Sequence, residues 1–339
     1  MIRSIEFKNF RVLRDAILPL DRFTLLVGAN GSGKSTASQA ILFVLKPSSF
    51  KFDNLVTADC QTSANLIEVI LNWSLPHGVT AATRSVLKRV GKNIESIGPI
   101  QLGNAGNTAK HFQDCLSALV GFRVFSFNAE AIAEPVQTVP HPELGRDGSN
   151  LAAVLDALTD SEPERFEALN GELNRWLPEF DRILFETPNP GMKGFLLRTK
   201  HGQHRIRANA LSDGTLFALA MLTLAYLPAP PTIICFEEPD RGIHPRLLRD
   251  IQDAMYRLAH PENFGETREP VQVIATTHSP YLLDLYKDNL DQVVISYKDE
   301  TGAHFERLSD KPHLEELVAG APLGEIWYSG VLGGVPPTP

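Results

Sequence analysis

An α/β fold, with a mostly parallel core sheet covered by helices, an antiparallel β subdomain and a short helical lid, is predicted by three features of the 339-residue sequence. The first is Gly28-Ala29-Asn30-Gly31-Ser32-Gly33-Lys34-Ser35, which fits G-x-x-x-x-G-K-[ST] and lies between an apolar, β-prone run at 23–27 and a helical pattern at 36–45. The second is the continuous apolar run 232–236, of the kind expected of a strand buried on both faces, with a second buried strand read at 271–276. The third is the alternation from residue 212 onward of helix 214–227, strand 232–236, helix 245–259, strand 271–276, helix 280–286 and strand 292–297, which implies parallel strands covered by helices.

In chain order, residues 2–7 alternate apolar with polar as a strand does, and not as an export signal does. Residues 16–20 offer a second strand before the glycine-rich loop. Short strands at 66–73, 82–90 and 95–102, separated by the turns Pro76-His77-Gly78 and Gly91-Lys92-Asn93, predict an antiparallel sheet. A helix at 108–120 and a strand at 122–127 follow. The proline- and glycine-bearing stretch 135–149 reads as a loop, and two amphipathic helices are placed at 150–159 and 162–177. Small strands at 182–186, 194–199 and 204–207 come next, then the β/α alternation and a Pro/Gly-rich tail at 330–339. The expected organisation is a single 1–339 body with a β-rich lobe at 1–130, a helical lid with a basic hairpin at 131–210, and a second lobe at 211–339.

A net charge of −8 and a pI near 5.7 argue against a surface coated for nucleic acid, so any DNA contact must be regional. The leading place for it is 193–207, with Lys193, Arg198, Lys200, Arg205 and Arg207; a solvated hairpin face is the plainer reading of the same residues. Cys60, Cys115 and Cys235 are scattered and lack C-x-x-C spacing, which suggests neither a disulfide framework nor a zinc site and fits a reducing cytoplasm. The apolar run 216–227 is too short to span a bilayer and reads as a buried helix, so no membrane contact is expected.

The chemistry expected of the loop is phosphate binding. Glycines allow a tight fold around an anion, the helix start adds its positive dipole end, Lys34 reaches the β- and γ-phosphates, and the Ser35 hydroxyl ligates Mg²⁺. The strand at 232–236 delivers Glu237-Glu238-Pro239 at its carboxyl end, where ligands of open α/β sheets bind. Adjacent carboxylates there are costly without a cation; Glu237 is assigned to the metal and Glu238 to orienting or deprotonating the attacking water. The strand at 271–276 ends in Thr277-His278-Ser279-Pro280, placing His278 at the same edge, where an imidazole suits the γ-phosphate.

These residues together resemble an ABC-type P-loop ATPase head of the RecF/SMC/Rad50 class. Phe7-Lys8-Asn9-Phe10-Arg11 before Gly28 to Thr36 is similar to the amino-terminal pattern of that class. Leu211-Ser212-Asp213-Gly214-Thr215 resembles its signature, Ile233 to Glu238 its Walker B strand, and Ala275 to Ser279 its histidine switch. The Ser-Asp-Gly-Thr stretch and Glu237-Glu238-Pro239-Asp240-Arg241-Gly242-Ile243-His244-Pro245 resemble small bacterial ATPases related to the OLD nucleases, several of which serve in phage defence.

The resemblance implies ATP and Mg²⁺ as cofactors, with Asn30, Gly31, Ser32, Gly33, Lys34, Ser35 and Thr36 around the nucleotide. It implies that Ser212 and the Gly214 amide contact the γ-phosphate held by another subunit, although a Ser-x-Gly is otherwise a helix cap. Asn128 falls near the place of the Q-loop glutamine, as a further metal-facing residue, and Arg11 is assigned to the phosphates or to the surface. Asp213, Thr215 and Glu237 depart from the commonest residues of the pattern. The implied activity is an ATP-hydrolysing, ATP-dependent homodimer acting on DNA or on an effector protein or nuclease, in phage defence or DNA repair. A transporter ATPase subunit and a GTPase are the competing classes; no N-K-x-D-like stretch supports the latter.

Overall fold

The computed structural model describes residues 1–56, 65–102, 108–314, 318 and 320–335, so Cys60 and the end of the Pro/Gly-rich tail lie outside the described residues. The opening elements are β1 (Ile2–Phe10), β2 (Leu13–Pro19), β3 (Phe23–Gly28), α1 (Lys34–Leu45), α2 (Phe52–Leu55), β4 (Leu66–Ser74), β5 (Thr80–Val90), β6 (Asn93–Leu102), α3 (Thr108–Val120) and β7 (Phe122–Phe125). They are followed by α4 (Ala129–Ala133), β8 (Val136–Gln137), α5 (Leu151–Ser161), α6 (Pro163–Trp176), β9 (Phe180–Glu186), β10 (Met192–Thr199) and β11 (Arg205–Arg207). The chain continues through α7 (Asp213–Tyr226), β12 (Ile233–Glu237), α8 (Leu248–Ala259), β13 (Gln272–Thr277), α9 (Pro280–Asp284), β14 (Val293–Asp299), β15 (Gly302–Arg307) and α10 (Leu323–Tyr328).

Two compact units are built from interleaved stretches: Met1–Phe122, Thr232–Cys235 and Gln272–Pro339 form one, and Arg123–Pro231 with Phe236–Val271 the other. The first unit carries two sheets. Strands run β2-β1-β4-β5-β6 in the antiparallel one, confirming the sheet expected from the turn signals. In its interior Trp73 Nε1 donates to Thr83 Oγ1 at 3.0 Å, and the buried Glu68 carboxylate is paired with Arg84 and with Lys8 at 3.4 Å.

The second sheet of this unit has the order β15-β14-β3-β13-β12. Strand β3 is parallel to both β13 and β14, while β15 pairs antiparallel with β14. All residues of β3 and β13 are buried, which explains why their sequences are mostly apolar and lack a polar alternation. Gln272 ties the sheet to β1: its Oε1 accepts from the Ile2 N–H at 2.8 Å and its Nε2 donates to the Ile2 carbonyl at 2.6 Å. The antiparallel β15 was not separated from its neighbours by sequence pattern; Gly302, at a φ of 140°, turns the chain back along β14.

The second unit is helical around a small sheet in which β10 pairs with β8, β9 and β11. At its centre α7 is buried on every side from Thr215 to Tyr226, so the apolar run that is too short for a bilayer is an interior helix. No helix among the described residues is long and apolar enough to cross a membrane.

Candidate functional site

In the first unit, β3 ends at Gly28 and α1 starts at Lys34, so residues 29–33 form the loop between strand and helix that the motif requires. The sheet register places Val27 opposite Thr277 and Gly28 opposite Ser296, which brings the loop and the Thr277-His278 strand end to the same carboxyl edge. His278 is exposed there, immediately before α9, whose Ser279 hydroxyl accepts from the Leu282 N–H.

Gly28 cannot be replaced without movement, because an added Cβ would lie 2.3 Å from the Ser296 carbonyl and 2.7 Å from Ser32 Oγ. Gly33 has a φ of 106°, a conformation open to glycine, and no side chain caps the helix it begins. The Thr36 and Ala37 N–H groups donate to the Gly33 carbonyl at 3.0 and 3.2 Å, and the amides that precede them open α1 toward the loop, the arrangement that receives an anion. Lys34, only 7% exposed, donates from Nζ to the Gly28 carbonyl at 2.6 Å and to the Ala29 carbonyl at 2.8 Å. Its ammonium thus rests on the carbonyls of the loop it is expected to serve.

Ser32 Oγ is buried without a hydrogen-bond partner, close against Gly28. Ser296, which the sequence reading missed, fixes the loop by donating from Oγ to the Ser32 carbonyl at 2.6 Å. Asn30, Gly31, Ser35 and Thr36 take their expected places in the loop and the first helical turn. Arg11, in the turn joining β1 and β2, has a φ of 57° and a buried Nε without a partner.

The second unit holds the other predicted residues. Ser212 is the N-cap of α7, its Oγ accepting from the Thr215 N–H at 3.2 Å and lying 2.9 Å from Thr215 Oγ1. Gly214 is required by packing, since a Cβ there would meet the Gly242 carbonyl at 2.9 Å. Asn128 caps α4, accepting the Ala131 N–H at 2.9 Å. That bond uses one of the two lone pairs of its side-chain oxygen.

Glu237 closes β12, and Glu238 takes a φ of 52°, a left-handed backbone uncommon for a non-glycine residue and often found at functional sites. Phe236 stacks on Phe125 at 5.9 Å beneath them. Arg146 Nη2 donates to Glu237 Oε2 at 2.8 Å. The sequence signal for this arginine was hidden in a stretch read as a loop, yet residues 143–151 form a tightly bonded turn. Asn150 bridges it, with Oδ1 accepting the Gly145 N–H at 2.7 Å and Nδ2 donating to the Glu143 carbonyl at 2.7 Å. The Arg146 and Asp147 carbonyls accept from the Ser126 and Asn128 amides at 2.9 and 3.0 Å. The Ser149 N–H holds the Asp147 carboxyl below its usual range.

The hairpin cations are mostly committed. Lys193 pairs with Asp156 at 2.7 Å, Arg198 with Asp181 at 2.9 Å and Arg207 with Glu186 at 3.0 Å. A patch that looked basic in sequence is thus largely neutralised by acids from α5 and β9. No group of three or more His, Cys, Asp or Glu among the described residues is placed to hold a metal ion.

Comparison with known proteins bears out the resemblance read from the motifs. Residues 1–113 match the family model described as "AAA ATPase domain", and residues 130–284 match "AAA domain, putative AbiEii toxin, Type IV TA system". A stretch of 105 residues, 28% of this chain, is 35% identical to the Chromosome partition protein Smc of Methanocaldococcus jannaschii and covers 9% of it. A stretch of 45 residues, 13% of the chain, is 49% identical to the OLD nuclease of Thermus scotoductus and covers 8% of it. The matched stretches span less than a tenth of either relative. Among solved structures, the Smc head domain with a coiled coil and joint derived from Pyrococcus yayanosii aligns over 93% of this chain and 99% of that one, with 13% identity and a TM-score of 0.49. The chain thus carries matches to two AAA ATPase domain models and stretches similar to Smc and to an OLD nuclease.

Proposed function

We propose that this chain binds and hydrolyses ATP as a dimerising switch that controls a protein effector, such as a nuclease, in phage defence or DNA repair. The observation that carries the reading is the loop at 28–34: a glycine cradle, an uncapped helix start and a buried lysine whose ammonium is held by loop carbonyls at 2.6 and 2.8 Å. An anion of high charge is the ligand that suits such a site. Triphosphate oxygens would take the helix amides and the Lys34 ammonium.

Mg²⁺ fits the donor chemistry without a cage of protein ligands. This ion keeps waters and phosphate oxygens and needs one or two side-chain oxygens. Ser35 offers a hydroxyl in the first unit; in the second, Glu237 already faces a cation, the Arg146 guanidinium. When bound, the ion would neutralise charge developing on the transferred phosphoryl group. Glu238 is proposed to orient the attacking water and His278 to hydrogen-bond the γ-phosphate. Ser212 and Gly214 are proposed to serve the nucleotide of a second copy.

The paired hairpin cations favour a protein partner over DNA, and one matched family description places its members in toxin–antitoxin systems. The test is light scattering of Glu238→Gln with and without ATP. Turnover at least tenfold below wild type, with a mass that doubles in ATP, is expected. Lys34→Ala should not dimerise, and Ser212→Arg should bind ATP as a monomer. Unchanged turnover in Glu238→Gln, or dimers indifferent to ATP, would overturn the reading.

A further inference from the structure

The glycine-rich segment after α10 is part of the phosphate loop's own architecture. The Ala29 N–H donates to the Gly334 carbonyl at 2.7 Å. That N–H belongs to the same peptide group as the Gly28 carbonyl, which accepts the Lys34 ammonium at 2.6 Å. One peptide plane at the base of the loop is therefore held at both ends, by a lysine on one side and by residues 305 positions downstream on the other.

The downstream segment is built for that approach. Gly330, Gly333 and Gly334 have φ values of 87°, 76° and 77°, a left-handed run that side chains resist. A Cβ on Gly334 would lie 2.9 Å from Ile295 Cγ2, 3.1 Å from the Ser296 carbonyl and 3.2 Å from Trp327 Nε1. Leu332 is 0% exposed and anchors the segment between these glycines. At its start, Gly324 donates its N–H to Asp284 Oδ1 at 2.7 Å, and a Cβ there would meet the Pro280 carbonyl at 2.3 Å. The segment thus binds both the helix that follows His278 and the peptide that opens the phosphate loop.

We infer that residues 323–335 are a positioning strap for nucleotide binding, and that the Gly334 carbonyl holds the Gly28–Ala29 peptide in its binding orientation once Lys34 leaves it for phosphate. In the nucleotide-free chain the plane has two anchors. When the ammonium turns to the triphosphate, the bond from Gly334 is the one that remains to stop the peptide rotating. By linkage, a strap that favours the bound loop is itself stabilised by nucleotide. The inference rests on the reading of residues 28–35 as a phosphate cradle.

The experiment compares wild type, Gly334→Ala and Gly330→Ala in titrations with a fluorescent ATP analogue. Gly330→Ala is the control, because it carries the same left-handed strain but a Cβ there has nothing within 4 Å. Gly334→Ala is expected to weaken binding at least fivefold while Gly330→Ala stays within twofold. Wild-type affinity in Gly334→Ala, or equal losses in both variants, would overturn the strap. Should Gly334→Ala fail to fold, hydrogen exchange of the wild-type chain decides: saturating ATP should slow exchange in 323–335, and unchanged exchange would overturn it. A wild-type chain that binds no ATP would instead remove the phosphate reading, and the strap with it.

Discussion

Lys34→Ala removes a cation that rests on two loop carbonyls and is proposed to exchange them for phosphate, so its effect divides into two measurable parts. Without nucleotide, Nζ makes two hydrogen bonds at 2.6 and 2.8 Å in a site where the residue is 7% exposed. Bonds to a charged group are worth about 1.5–3 kcal/mol each. Burying the ammonium costs several kcal/mol in return. The net loss of nucleotide-free stability is expected at about 1–3 kcal/mol, read as a lower thermal midpoint of roughly 2–4 °C per kcal/mol. On binding, the ammonium exchanges carbonyls for phosphate, so affinity reflects only the difference between the two sets. A difference of about 2–4 kcal/mol corresponds to a dissociation constant about 30- to 700-fold higher. Titration with a fluorescent ATP analogue alongside thermal unfolding separates the parts. Lys34→Met, which keeps the apolar stem, should show the same loss of affinity with a smaller loss of stability. Affinity within threefold of wild type, with stability lowered as expected, would make Lys34 a structural staple and refute its phosphate role.

Three further outcomes follow from the geometry. If DNA contacts the basic hairpin, Lys200 and Arg205 are the cations there without an ion pair among the described residues, so a log–log plot of affinity against salt should have a slope no steeper than about −2, whereas about −4.5 would mean that all five cations are available. Buried Cys115, whose thiol burial pushes up to about 11, should resist alkylation at pH 8 in the native protein and react after unfolding; rapid native labelling would contradict its placement. Asp299, held at about 2 chiefly by the Thr301 hydroxyl and N–H, has a folded pKa below its ordinary 3.8, so the β14–β15 turn keeps that support above the ordinary value and loses it as pH falls from there through about 2; the protection of the Thr301 and Gly302 amides relative to their intrinsic exchange rates at each pH should fall across that window and stay constant from pH 5 to 7.

What the sequence disclosed followed from how local each signal is. The phosphate loop was legible because its glycines, lysine and flanking strand and helix are contiguous within residues 23–45, although Ser296 and Gly334 hold it from far along the chain. β12, β13 and α7 were legible because burial on all sides leaves predominantly apolar stretches without charged residues in their interiors. Charge was misleading for the opposite reason. Lys193, Arg198 and Arg207 stand close together in sequence, but the carboxylates that neutralise them, Asp156, Asp181 and Glu186, come from elements that only tertiary packing brings alongside. Arg146 was missed because the turn that presents it is held by backbone and Asn150 bonds instead of a periodic pattern. Gly334 was missed because its partner is 305 residues away.

Each unit contains an internal substitute for the charge expected of its ligand. In the first, loop carbonyls receive the Lys34 ammonium where phosphate oxygens are proposed to sit; in the second, the Arg146 guanidinium, 64% exposed, lies against a Glu237 carboxylate that is 17% exposed. An exposed pair of this kind contributes about 0.2–1 kcal/mol, little enough for a divalent cation to displace. The lysine bonds are stronger because they are buried, so ligand must replace them with contacts at least as good. On the proposed reading, the firmly held Lys34 governs how tightly triphosphate binds in the first unit, and the weakly held Arg146 yields Glu237 to a divalent cation in the second. Removing Lys34 should therefore act mainly on nucleotide affinity, and removing Arg146 mainly on the divalent cation concentration needed for half-maximal turnover.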